Sequence, residues 1–175
     1  MSIELDSTKL FFSAISLFFQ RNPTAFMLVV GSLDNHSDRF WFSSMCKQYG
    51  IEGRVKVTGW LSQEQALKRL ANCDVAINLL DDNILLKTSS PTKVVEYAAL
   101  GIPVVVTDSV PDQSYCVVKM KSGVVVENTA EAIANGLAEA IKIRRDNLGV
   151  EIVNGFRDYD TISSKLYTEY IERMR

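Results

Sequence analysis

Apolar positions along the chain switch back and forth between two spacings. Leu10, Phe11, Ile15, Phe18 and Phe19 recur at three- and four-residue steps and give one wide apolar face to a helix over residues 7–20. Asn22-Pro23 stops it. Residues 27–30, Met-Leu-Val-Val, read as a short strand. A polar loop through Asp34-Asn35-His36-Ser37 leads to a helix over 38–49 that Gly50 ends, and then to a strand over 55–58. Ser62 and Gln65 stand at capping-box spacing ahead of a helix to residue 71, with Leu67 and Leu70 turned inward. Strand 75–79, a helix after Pro91, strand 104–107, a short helix over 113–119 and strand 124–126 follow. Asn128 is the expected cap of a long helix over 129–143, and two helical patterns, 146–154 and 160–173, make up the tail. This alternation predicts an α/β fold: a Rossmann-like parallel sheet of five strands, joined by right-handed crossovers and flanked by helices. No repeat, low-complexity stretch or linker composition divides the chain, so residues 1–175 read as one domain.

The most informative stretch is Ser90-Pro91-Thr92-Lys93-Val94-Val95-Glu96-Tyr97, followed by Gly101 and Pro103-Val104-Val105-Val106-Thr107. Ser90 is a natural N-cap, and Pro91 suits the first turn, where its lack of an N–H costs nothing. The amides of Thr92 and Lys93 are then aimed at whatever lies in front of the helix, and phosphate is the natural occupant. Glu96 leans towards the same end, Gly101 allows a left-handed helix stop, and a buried strand follows.

At these residues the chain resembles the group 1 retaining nucleotide-sugar glycosyltransferases of the GT-B fold, whose donor-binding half carries a Lys-x-x-Glu stretch of this form. The resemblance runs from near Thr8 through Phe26-Met27-Leu28-Val29-Val30-Gly31, Val55-Lys56-Val57-Thr58-Gly59-Trp60 and Cys73-Asp74-Val75-Ala76-Ile77 to Gly123-Val124-Val125-Val126. It implies that Glu96 accepts hydrogen bonds from the ribose hydroxyls and that the amides of Thr92 and Lys93 meet the diphosphate. The backbone of Gly59, Trp60 and Leu61 would read the base, and Gly31, Ser32, Ser90, Pro91 and Thr88 would line the same crevice. The reaction implied is transfer of a hexosyl-type unit from a nucleoside diphosphate sugar to a glycan, lipid or other acceptor, with retention and with no metal or other cofactor. Plainer readings stand beside these: a solvated helix carboxylate for Glu96, a surface cation for Lys93, and an aromatic plug at the core edge for Trp60.

Two departures from the family pattern bear on the chemistry. Eight residues before Glu96, where many members carry a second glutamate, stands Thr88; Asp81 and Asp82 are nearby acceptors that also suit a turn. The family's first strand, central in its sheet, and the basic pair after it have no counterpart, since residues 3–8 read Ile-Glu-Leu-Asp-Ser-Thr. The chain is therefore expected to be a fragment of a two-domain enzyme, lacking the amino-terminal acceptor domain and inactive alone. The gap left in the sheet would be filled either by residues 1–5 as a makeshift strand or by a second copy in a homodimer. A non-catalytic nucleotide-binding or regulatory domain is the alternative function, and an epimerase would need acid–base residues that are not found.

Composition narrows the partners. With 19 Lys+Arg against 21 Asp+Glu and no basic–aromatic alternation, nucleic acid is not an expected partner. Cys46, Cys73 and Cys116 are scattered and read as reduced thiols rather than as metal ligands or a disulfide. The sole histidine, His36, has no partner that would make it an acid or base. No apolar run reaches the roughly 20 residues of a membrane span, and residues 1–6 have no signal-peptide character. The expected setting is cytoplasmic, peripheral to a membrane if the parent enzyme works on lipid.

Overall fold

A computed structural model describes residues 3–80, 89–90, 92–145 and 148–173. The elements alternate as expected: α1 (Ile3–Arg21), β1 (Met27–Val29), α2 (His36–Gln48), β2 (Val55–Val57), α3 (Gln63–Leu70), β3 (Ala76–Asn78), α4 (Thr92–Ala99), β4 (Val104–Thr107), α5 (Pro111–Met120), β5 (Gly123–Val126), α6 (Ala130–Ala140), α7 (Val150–Val153) and α8 (Tyr159–Arg173). The ladders among the described residues are parallel, and helices pack against the strands on both faces.

Local chemistry explains the boundaries, including those the pattern misplaced. Ser62 and Gln65 form the expected capping box at the start of α3. The Asn35 side chain accepts from the Asp38 amide, so α2 begins two residues early and His36 lies in its first turn rather than in a loop. Thr129, not Asn128, caps α6, accepting from the Ala132 amide, and the helix ends at Ala140 rather than residue 143. Proline in the first turn starts α5 at Pro111, two residues before the expected start. Residues 146 and 147 lie outside the described residues, and α7 spans only Val150–Val153 of the longer helix expected there.

The largest correction is at the amino end. Residues 3–5 belong to α1, which rules them out as a makeshift strand. Among the described residues the strands form two separate sheets, β1-β2 and β3-β4-β5, and no ladder joins β1 to β3. The single five-stranded sheet expected from the sequence is thus divided in two among the described residues.

Side-chain alternation divides the interior into two layers. Val105 of β4 faces Phe12, Ile15, Phe18 and Phe19 of α1 and Ala134, Leu137 and Ala140 of α6, with Met27, Val75, Ile77, Val124 and Val126 around them. Val104 and Val106 face the opposite layer, with Val94 and Ala98 of α4 and Cys116, Val117 and Met120 of α5. Arg54 secures the end of α1, donating to the carbonyls of Phe19, Asn22 and Ala25 while its guanidinium lies 4.0 Å over the Phe19 ring.

Candidate functional site

In an open parallel sheet, ligands bind beyond the carboxyl ends of the strands, where the loops after β1, β2 and β3 emerge. Two of these loops are tied together. Gly31 and Gly59 form an isolated antiparallel bridge, the Gly31 amide donates to Thr58 Oγ1 at 3.1 Å, and the Thr58 hydroxyl donates to the Gly59 carbonyl at 2.9 Å. Gly59 has φ +74°, a left-handed conformation that glycine takes without strain. A Cβ built on either glycine would meet nothing within 4 Å, so backbone shape rather than crowding calls for glycine, and the loops border open space. Trp60 is 80% exposed, which removes the reading in which it plugs the core edge, and Leu61 is half-buried. Ser32 is exposed, its hydroxyl donating to Asp34.

The third loop leads from β3 into α4. Pro91 and Thr88 lie outside the described residues, as do Asp81 and Asp82. The helix starts at Thr92, whose amide donates to the Ser90 carbonyl at 3.0 Å. Lys93 and Glu96 are one turn apart on the exposed face and form an ion pair, Lys93 Nζ to Glu96 Oε2 at 2.9 Å, with side chains 62% and 45% exposed. This hydrogen bond is the main reason the lysine holds its proton more tightly than usual. Val94 and Ala98 on the other face are fully buried and anchor the helix. The structure thus brings Gly31 to Gly59 and Lys93 to Glu96, and no described hydrogen bond links the two groups.

A polar group at the foot of this region was not anticipated from sequence. Gln113 of α5 is fully buried, accepts from Asn78 Nδ2 at the end of β3, and donates to the Thr107 carbonyl at the end of β4 at 3.4 Å. It joins the carboxyl ends of the two strands beside the third loop. The available signal was Asn78, a polar residue interrupting the otherwise apolar run Val75-Ala76-Ile77-Asn78-Leu79-Leu80.

Other candidates contribute less. His36 is exposed, and no cluster of metal-ligating side chains occurs among the described residues. Cys46 and Cys116 are buried and Cys73 half-buried; burial pushes all three thiols up and keeps them neutral. No helix among the described residues is long and apolar enough to cross a membrane.

The sequence matches the family model described as "Glycosyl transferases group 1" over residues 5–152, a span that contains all five strands and α4. Among solved structures, a sucrose-phosphate synthase from Thermosynechococcus elongatus aligns over 95% of this chain and 43% of its own, with 18% identity and a TM-score of 0.66. HepE of Anabaena, solved in complex with UDP and glucose, aligns over 90% and 43%, with 18% identity and a TM-score of 0.63. WaaG, a glycosyltransferase involved in lipopolysaccharide biosynthesis, aligns over 86% and 39%, with 16% identity and a TM-score of 0.61. The chain thus spans about two fifths of the length of these proteins. No curated protein sequence is similar enough to count as a match. The family-model match, covering most of the chain and the motif around Glu96, shows that the chain belongs to the group 1 glycosyltransferases.

Proposed function

We propose that the chain is the donor-binding part of a retaining glycosyltransferase that moves a hexosyl-type unit from a nucleoside diphosphate sugar to an acceptor held by another domain. The observation that carries the reading is α4, anchored through Val94 and Ala98, presenting its amino end and the Lys93–Glu96 pair near the carboxyl ends of the strands. A helix amino end and a lysine are what a departing diphosphate needs, because both stabilise negative charge as it develops. Glu96 accepts from the ribose hydroxyls, while the Gly59 backbone and the exposed Trp60 ring offer a base an edge and a face. An exposed ion pair is worth about 0–1 kcal/mol, so Lys93 can leave Glu96 for the phosphates at little cost. The reading needs no metal, and support for the donor class comes from HepE, whose structure holds UDP and glucose.

A non-catalytic nucleotide-binding role is the second reading. It is favoured by residues 3–8, which contain no basic side chain to share the diphosphate charge. Turnover separates the two: a protein joining this domain to an acceptor domain transfers sugar under the first reading and does not under the second. The 175-residue chain alone should bind donor without transferring it, because half a cleft neither positions an acceptor nor excludes water.

Titration with UDP followed by amide chemical shifts tests the site. We expect weak binding, about −4 kcal/mol or millimolar, with shifts concentrated at residues 31–32, 59–61 and 92–96. Shifts clustered elsewhere would contradict the assignment.

A further inference from the structure

We propose that Asn154-Gly155 is a self-modification site: the chain closes there into a succinimide with loss of ammonia, water reopens it as isoaspartate or aspartate, and the start of α8 is released. Two asparagines in the chain are followed by glycine, Asn135 and Asn154. The pairing matters because the reaction is internal. The backbone nitrogen of the second residue attacks the side-chain amide carbon of the first, and glycine has no Cβ to obstruct the approach.

The fold treats the two sites differently. Gly136 lies buried inside α6, where its amide belongs to the helix ladder. Asn135 is held as well, its Oδ1 accepting from Arg21 Nη1 at 2.8 Å. Asn154 and Gly155 are both exposed, in the turn between α7 and α8. Gly155 has φ +76°, and a Cβ built on it would meet nothing within 4 Å, so the turn has room to rotate. Its amide donates to Asp158 Oδ2, an exposed bond that holds it far less firmly than a buried ladder would.

In the first step the Gly155 nitrogen bonds to Asn154 Cγ, the Cγ–Nδ2 bond breaks, and the Gly155 proton, carried by solvent, leaves with Nδ2 as ammonia. Water then adds to either ring carbonyl. Addition at Cγ breaks the new bond and gives aspartate; addition at the Asn154 backbone carbonyl breaks the original peptide bond and gives isoaspartate, with the chain running on through Cβ and Cγ. The start of α8 is poised to respond, because no residue of α8 is fully buried and Asp158 caps it, accepting from the Thr161 amide at 2.9 Å and hydroxyl at 2.8 Å as well as from Gly155. Either product sets a second carboxylate four residues before Asp158, where like charges repel. Isoaspartate also lengthens the backbone by one atom, which moves the Gly155 amide off Asp158. The inference does not depend on the nucleotide reading.

Incubation of the full chain in mildly alkaline buffer, followed by peptide mass analysis and hydrogen–deuterium exchange, tests it. In the folded protein Asn154 should convert at least about tenfold faster than Asn135, since an amide inside a buried helix reacts only after local opening, and in urea the two rates should converge. The Thr161 amide should exchange faster in the converted protein, while those of β4 stay unchanged. Asn154→Gln, whose longer side chain would have to close a larger ring, should stay unconverted and keep Thr161 protected. Equal rates at Asn135 and Asn154 in the folded protein would overturn the site, as would conversion of Asn154 no faster than that of Asn128, which no glycine follows. Unaltered protection of Thr161 in the isoaspartyl form would overturn the release of α8.

Discussion

Glu96 and Gln113 are both polar residues on helices, but one is exposed and the other fully buried, and burial sets what a substitution at each is expected to do. The Lys93–Glu96 pair is exposed, so Glu96→Gln should leave the unfolding midpoint in urea nearly unchanged, within about 0–1 kcal/mol. The same variant should weaken UDP binding about tenfold or more by calorimetry, since hydrogen bonds to a charged group are worth about 1.5–3 kcal/mol. Gln113→Leu reverses the pattern: it keeps the volume but strands Asn78 Nδ2, and should cost about 1–3 kcal/mol in the urea midpoint. The place of Glu96 on α4, one turn from Lys93, was legible in the sequence because a helix start, a lysine and a glutamate stood at fixed offsets ahead of Gly101. Gln113 was not, because a glutamine beside Asp112 in a first turn reads as solvent-facing, and only the tertiary approach of β3 buries it.

Elements rather than single residues decide how tightly the layers close. Gly136 of α6 is the point of contact with the sheet, where an added Cβ would lie 2.7 Å from Val126 Cγ1 and 3.3 Å from Val105 Cγ1. Gly136→Ala should therefore lower stability by about 1–3 kcal/mol, the usual cost of overpacking, in place of the gain alanine brings to an exposed helix. Gly123→Ala is harsher, since its Cβ would fall 1.8 Å from the Val104 carbonyl oxygen, and backbone cannot yield as a side chain can; a loss of the folded state by circular dichroism is expected. At the start of α8, Asp158 accepts from the Thr161 amide and hydroxyl and from the Gly155 amide, which hold its carboxyl down to about 2. A depressed carboxyl stabilises the fold above its unfolded value, about 3.9, and loses that contribution as pH falls towards 2. The Thr161 amide should accordingly exchange faster, relative to its pH-corrected intrinsic rate, as pH drops through that window, and Asp158→Ala should abolish the change. Strands and most helices with strong periodicity were legible within about three residues, the amino end of α1 and the helix expected over 146–154 excepted. Residues 3–5 were not: they are too short to show a period, and Glu4 and Asp6 suit a helix amino end that only the body of α1 makes visible.

At the scale of the molecule, the sequence contained the parallel α/β order and the motif that identifies the family. It did not show that the described strands divide into two sheets, because strand pairing is a tertiary outcome that the periodicity of single segments does not record. The relation between the parts also bears on function, since the loops after β1 and β2 rise from one sheet and α4 follows the other. Both must present themselves to one nucleotide if the chain is a donor-binding domain. The most direct measurement is a crystal structure of the chain with UDP. The account predicts the diphosphate at the amino end of α4 with Lys93 turned towards it, the ribose hydroxyls on Glu96, and the base against residues 59–61. A nucleotide bound away from α4, or one that leaves the Lys93–Glu96 pair and the Gly59 loop untouched, would contradict it.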